Sequence, residues 1–284
     1  MVLQYLGTGA AEGWPGIFCS CGVCETARRR GGRNIRTRSQ SLVFANNFNE
    51  GTPDERMLID LPPDTYFHCI AHNLDLTKVG HLLITHSHSD HFLPTELGYR
   101  FSTFTNTVMD FKLNIYGNEK VYSMFQAYGE RTSPQRLEPC EFHIVENFVP
   151  FAAGSFTVTA LPALHDRRER CLTYMIEHNN RRMLYAHDTG IYTQEVWDFI
   201  KNKPFDLVSF DCTSCDKGEG TNHMGLPDII KIKSRLFELN CLKPDTCLVL
   251  NHFSHNGGVC YDEMVEPAEA QGMDVSYDGG IWQI

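Results

Sequence analysis

The chain has 284 residues, 42% of them hydrophobic, and a formal net charge of −10. That length can bury a substantial core as one large domain or two small ones, and no apolar run reaches the roughly 18 residues a membrane span needs. Non-specific nucleic-acid binding depends on Lys and Arg neutralising phosphates, so the acidic balance argues against a large nucleic-acid substrate.

The first expected strand is Val2–Leu6, and Met1 to Gly9 lacks the basic start and apolar core of a secretory leader. The expectation is therefore a cytoplasmic protein. An odd count of eleven cysteines fits thiols and metal ligation in a reducing compartment better than paired disulfides. A Gly-rich segment, Gly7 to Gly13, leads into Cys19-Ser20-Cys21-Gly22-Val23-Cys24. Three thiols this close, with one remote histidine, complete the donor set of a closed tetrahedral zinc site, and His255 is the candidate for the fourth position. The alternative is three unliganded buried thiols; the spacing favours zinc. Arg28, Arg29, Arg30, Arg33, Arg36 and Arg38 follow, for which a solvated, partly mobile loop is favoured over a phosphate-binding patch.

Strands are next expected at Ser41–Ala45, Met57–Asp60, His81–Thr85, Lys112–Tyr116, Phe142–Val145, Thr157–Leu161, Leu172–Glu177 and Met183–Ala186, then at Leu207–Phe210, Thr246–Leu250 and Asp274–Tyr277. Asn179-Asn180 marks a hairpin turn between two of them. Helical spacing covers Thr193–Lys201 and Asp228–Leu239. Strands interleaved with helices, with no repeat or linker, predict an α/β layered fold in a single domain over residues 1–284.

The chemistry is concentrated behind the apolar run His81–Thr85, where His86-Ser87-His88-Ser89-Asp90-His91 places four potential ligands within six residues. Imidazoles at i and i+2 project to one side of an extended segment, and core histidines do not cluster in this way. Neutral imidazoles with carboxylates suit Zn, Fe, Mn or Ni. Further candidates end later runs: His165 after Leu161-Pro162-Ala163-Leu164, Asp188 after Tyr185-Ala186-His187, and His252 after Asn251. His187 competes with Asp188, but neighbours on a strand face opposite ways, so only one points inward.

The ordered set His86-x-His88-x-Asp90-His91, His165, Asp188 and His252, with Leu58-Ile59-Asp60 ahead of it, resembles the metallo-β-lactamase superfamily. The resemblance implies a four-layer αββα sandwich of two mixed β-sheets flanked by helices. It places His86, His88 and His165 on one divalent cation and Asp90, His91 and His252 on a second, with Asp188 bridging and Asp60 supporting the site from behind. Thr8 to Pro15, the C-x-C-x-x-C, His252-x-x-His255, Phe210-Asp211-Cys212, Asn222-His223 and Tyr277-Asp278-Gly279 narrow the likeness to the carbon–phosphorus lyase accessory phosphodiesterases, which open phosphoribosyl 1,2-cyclic phosphate. By that likeness the cysteines hold a structural zinc and His223 stands at the mouth of the site. A plain loop histidine is nearly as good a reading of His223.

The leading expectation is hydrolysis of small or cyclic phosphodiesters by a hydroxide bridging two metals, oriented by Asp90, with His223 protonating the leaving oxygen. Alternatives are lactone or ester hydrolysis, a pyrroloquinoline quinone biosynthesis-like role, and a non-enzymatic scaffold. A homodimer is implied by resemblance alone. The Asn46–Glu55, Asp64–Thr77 and Asp166–Arg170 stretches depart from the pattern and are expected to surround the active-site face.

Overall fold

The computed structural model describes residues 1–46, 51–218 and 220–284. The chain runs β1 (Val2–Gly7), α1 (Gly22–Arg30), β2 (Gln40–Phe44), β3 (Arg56–Ile59), α2 (Thr65–Ala71), β4 (His81–Leu83), β5 (Leu113–Gly117), α3 (Glu119–Arg131) and β6 (Cys140–Ile144). It continues β7 (Pro150–Ala153), β8 (Phe156–Pro162), β9 (Leu172–His178), β10 (Arg181–Ala186), α4 (Gln194–Ile200), β11 (Phe205–Asp211), α5 (Leu226–Glu238), β12 (Leu242–Asn251), α6 (Tyr261–Glu269), β13 (Asp274–Val275) and β14 (Ile281–Gln283).

These strands form two seven-stranded sheets, ordered β14-β1-β2-β3-β4-β5-β6 and β13-β12-β11-β10-β9-β8-β7. Both are mixed: β3 to β6 run parallel and β1 to β3 antiparallel, while β10 to β13 run parallel and β7 to β10 antiparallel. Asn179 and Asn180 both take positive φ, 46° and 63°, as the turn joining β9 to β10 requires.

Inward residues of the sheets, such as Leu3, Tyr5, Ile59 and Leu83 against Ile176, Tyr185 and Leu207, interdigitate in a central core. Their strand neighbours face outward and are covered as well. Leu184, Val208 and Phe210 meet Trp197, Ile229 and Ile232 of α4 and α5, and Leu58, Leu82 and Ile115 meet Val121 and Phe125 of α3. Burial on both faces explains why these strands read as continuous apolar runs. The result is the expected αββα sandwich.

The arginine-rich stretch corrects one expectation. Arg28, Arg29 and Arg30 form the last turn of α1, where cations complement the helix dipole. Arg36 is buried, with its guanidinium 4.1 Å from the centre of the Phe253 ring and hydrogen bonds to Thr8 Oγ1 and the Ser276 carbonyl. Arg38 pairs with Asp64. Arg36 and Arg38 thus fasten the N-terminal loop to the sheet, while Arg28, Arg29, Arg30 and Arg33 are exposed to solvent as expected.

Two of the three departing stretches also lie elsewhere than expected. Asp60 follows the C-terminal end of β3, so residues 51–55, which feed the start of β3, sit at the opposite edge; residues 47–50 of the Asn46–Glu55 stretch lie outside the described residues. The Asp64–Thr77 stretch folds into α2 and a 3-10 turn and lines an apolar cavity of about 630 Å³ with Leu58, Leu97 and Tyr99. None of the clustered histidines lines that cavity.

Candidate metal centre

Every expected ligand of the active site, and the supporting Asp60, follows the C-terminal end of a strand at one edge of the sandwich: Asp60 after β3, the His86–His91 turn after β4, His165 after β8, Asp188 after β10 and His252 after β12. Asp60, Asp188 and His252 leave their strands with positive φ, 65°, 49° and 62°, which swings each side chain into the gap between the sheets. Thus residues far apart in the chain converge.

Asp188 is the centre of the constellation. Its Oδ2 lies 2.6 Å from His91 Nε2, 3.1 Å from His252 Nε2 and 3.8 Å from His86 Nε2. Its Oδ1 lies 3.9 Å from His165 Nε2, and Asp90 Oδ2 is 3.2 Å from His91 Nε2. Ligand atoms of His86, His88 and His165 gather in one group, and those of Asp90, His91, Asp188 and His252 in another. All seven expected side chains are therefore brought together, with Asp188 placed between the groups.

The buried polar atoms test whether a cation fits. His86 Nε2, His91 Nε2, Asp188 Oδ2 and His252 Nε2 are buried without a hydrogen-bond partner among the described residues. Burying such atoms unpaired is costly, and the short distances between them lack hydrogen-bond geometry. The lone pairs converge on shared points, as cation ligands do. The opposite ring nitrogens are anchored: His91 Nδ1 by Asp60 at 2.7 Å, His252 Nδ1 by Thr213 Oγ1 at 2.8 Å, and His86 Nδ1 by Thr85 Oγ1 at 3.0 Å. Burial pushes the His86 and His165 imidazoles down, toward the neutral form a ligand needs.

His187 is fully enclosed and packed, with Nε2 2.7 Å from Ser209 Oγ and its ring against Tyr185 of the central core. Both His187 and Asp188 lie beyond the end of β10, and the positive φ of Asp188, not strand alternation, turns that carboxylate into the cluster. His223 stands beside the centre, with Nδ1 3.1 Å from Asp211 Oδ2 and 3.4 Å from Asp188 Oδ1. Burial works to lower its pKa, but the Asp211 charge and hydrogen bond, with Asp188 behind, outweigh it and hold it up at about 9. Glu12, Thr213, Lys217, Ser254 and Asn256 also line the cleft of about 400 Å³ above the cluster. Sequence reasoning missed them because they sit in loops without a ligand-type pattern.

The second cluster assembles too. Cys19, Cys21, Cys24 and His255 bring their ligand atoms within 4.8 Å of one another, with His255 Nδ1 3.7 Å from Cys19 Sγ and 3.6 Å from Cys21 Sγ. A tetrahedral zinc with Zn–S of about 2.3 Å and Zn–N of about 2.0 Å separates such atoms by about 3.5 Å, so the donor set fits. The Cys24 backbone N–H holds the Cys21 thiol down at about 6, favouring the thiolate a metal takes. His255 Nε2 reaches Glu12 at 3.5 Å, and Glu12 accepts hydrogen bonds from Ser254 and Asn256. One carboxylate thus joins the cysteine cluster to the wall of the cleft.

A family model described as the Beta-lactamase superfamily domain matches residues 55–238. The chain belongs to the beta-lactamase superfamily. The matched span takes in every clustered active-site ligand except His252. Among solved structures of this superfamily's fold, the chain is similar to a diphosphatase from the PhnP family, with a TM-score of 0.74 and 20% identity over 99% of this chain and 96% of that one. It is equally similar to zinc-bound PqqB from Methylobacterium extorquens, with a TM-score of 0.74 and 18% identity over the whole of both chains. At those identities the likeness establishes the fold. A curated relative, an octanoyltransferase of Porphyromonas gingivalis, is 27% identical over 174 residues, which is 57% of this chain and only 30% of that protein. No helix among the described residues is long and apolar enough to cross a membrane.

Proposed function

We propose that this superfamily member is a dinuclear metal-dependent phosphodiesterase acting on small or cyclic phosphodiesters. The observation that carries the reading is the convergence of unpaired ligand atoms on two adjacent points around Asp188, beneath a cleft whose rim presents Lys217 and the Asp211-bonded His223. His86, His88 and His165 would hold one divalent ion, and Asp90, His91 and His252 the other, with Asp188 between them. Two such ions, when bound, lower the pKa of a shared water and neutralise charge on phosphoryl oxygens. Zinc, manganese, iron and nickel all suit these donors.

The protein's own groups supply the rest. His223, protonated and kept in place by Asp211, donates its proton to the departing alkoxide. Asp90, beside His91, orients the attacking oxygen. Lys217, tethered through Nζ to the Asn256 carbonyl at 3.1 Å, adds positive charge where an anionic substrate enters. A cleft of about 400 Å³ is the size of a small-molecule site, and the net charge of −10 disfavours long polyanions. The similarity to a PhnP-family diphosphatase supports phosphoryl chemistry; the partial similarity to an octanoyltransferase favours acyl-ester cleavage as the second reading.

The deciding experiment loads the protein with manganese or zinc and offers a chromogenic phosphodiester, 2′,3′-cyclic nucleotides, a lactone and a thioester. Turnover of the phosphodiesters supports the proposal. Cleavage of the lactone or thioester with none of the phosphodiesters would overturn it.

A further inference from the structure

The charged stretch Asp166–Arg170 touches the metal-binding turn at two consecutive residues. Asp166 Oδ2 lies 3.0 Å from His88 Nε2. Glu169 accepts hydrogen bonds from the Ser87 backbone N–H at 3.1 Å and the Ser87 hydroxyl at 2.6 Å, and from Asn118 Nδ2 at 2.9 Å. Arg168 in turn clasps Asp166 through its backbone N–H, Nε and Nη2.

His88 differs from the other four histidines of the cluster. His86, His91, His165 and His252 all anchor Nδ1 to an outer partner, Thr85, Asp60, the Asn222 carbonyl and Thr213 respectively, and turn Nε2 inward. His88 is reversed: its Nδ1 faces inward, 3.2 Å from His165 Nε2, and its Nε2 is the outer atom. It is also the most exposed of the five, with 35% of its side chain accessible, so water competes for its outer nitrogen.

We infer that Asp166 is a positioning residue, which fixes His88 in the tautomer whose Nδ1 lone pair faces the cation. This rests on the dinuclear reading above. A neutral imidazole carries one N–H, and an ionised carboxylate can only accept. The hydrogen bond to Asp166 therefore puts that N–H on Nε2 and leaves Nδ1 unprotonated, aimed at the same point as the inner nitrogens of His86 and His165. Arg168 holds the Asp166 carboxylate in an ion pair at 2.7 Å, with its backbone N–H, Nε and Nη2 all donating to it, which leaves that group facing His88 as an acceptor. Without it, His88 divides between two tautomers and two ring orientations, only one of which can bind. Partners of this kind are typically worth 10- to 100-fold in metal affinity.

The test uses the full chain as wild type, Asp166→Ala and Asp166→Asn, the last retaining an acceptor oxygen. Zinc is titrated against a chelating indicator, with the circular-dichroism spectrum and melting temperature as the check on folding, and the His88 tautomer is read by long-range ¹H–¹⁵N NMR of protein whose histidine site is free of metal. The expected result is an affinity about 10- to 100-fold weaker at the histidine site in Asp166→Ala, with the fold retained. The Nε2–H tautomer is expected in wild type and Asp166→Asn and lost in Asp166→Ala. Unchanged affinity and tautomer in Asp166→Ala would overturn the inference while leaving the metal site intact. A wild type that takes up no cation at the histidine cluster would overturn both it and the dinuclear reading.

Discussion

The Asp60 carboxylate receives the His91 Nδ1 hydrogen bond at 2.7 Å and, through its other oxygen, the Thr85 backbone N–H at 2.8 Å. One buried side chain thus orients a ligand and ties β3 to the turn after β4. Asp60→Ala removes both. The expected outcome is metal affinity reduced about 10- to 100-fold and stability reduced by about 1–3 kcal/mol for the Thr85 N–H left unpaired, read by metal titration and by denaturant unfolding of the metal-free protein.

Cys21 tests the zinc reading cleanly because it is exposed. A surface thiol in no other role is replaceable within about 0.5 kcal/mol. If Cys21 ligates zinc, Cys21→Ala instead costs several kcal/mol and lowers zinc content by one ion per chain, measured by melting temperature and a chromogenic zinc assay. A variant that keeps both its zinc and its melting temperature removes Cys21 from the site.

His223→Gln separates a proton donor from a structural residue through the leaving group. With an alkoxide leaving group the expected loss in kcat is about 10²- to 10⁴-fold; with p-nitrophenolate, which departs without a proton, the loss is far smaller. Equal losses for both substrates would assign His223 a binding or structural part.

His68 gives a pH signature away from the metals. It is buried in α2, with Nδ1 2.6 Å from Gln40 Oε1 and Nε2 2.7 Å from Thr37 Oγ1, and burial holds its pKa down at about 4. The unfolded imidazole titrates near 6.5, so between these values the unfolded chain binds the extra proton. The contribution of His68 is whole above pH 6.5 and declines as the pH falls toward 4, by up to about 1.4 kcal/mol per pH unit. In His68→Gln that slope disappears, so the stability gap between variant and wild type narrows from pH 7 to pH 5.

Much of the site was legible because its ligands announce themselves by type and by position after apolar runs, as His86 to His91 do after β4. The α/β layered class followed from the same runs, and the αββα arrangement from the family resemblance. What stayed hidden depends on distant partners. β7 and β14 are short edge strands defined by their pairing with β8 and β1, and α3 begins where the Asn118 side chain accepts the Val121 N–H, a cap overlooked in a polar stretch. Helix α6 carries Pro267 inside it, which reads as a breaker. The Asp166 contact joins residues 78 apart in sequence, and local patterning carries no trace of it.

The left-handed joints at Asp60, Asp188 and His252 bear on how this centre can change. Side chains with positive φ are mostly Asp, Asn or His, apart from Gly, and at these joints the backbone and the metal demand overlapping alphabets. A glutamate at Asp188 or His252 would have to fit a bend that favours shorter polar side chains. Selection for harder cations is thereby steered toward positions in the His86–His91 turn and His165, where the chain bends the ordinary way.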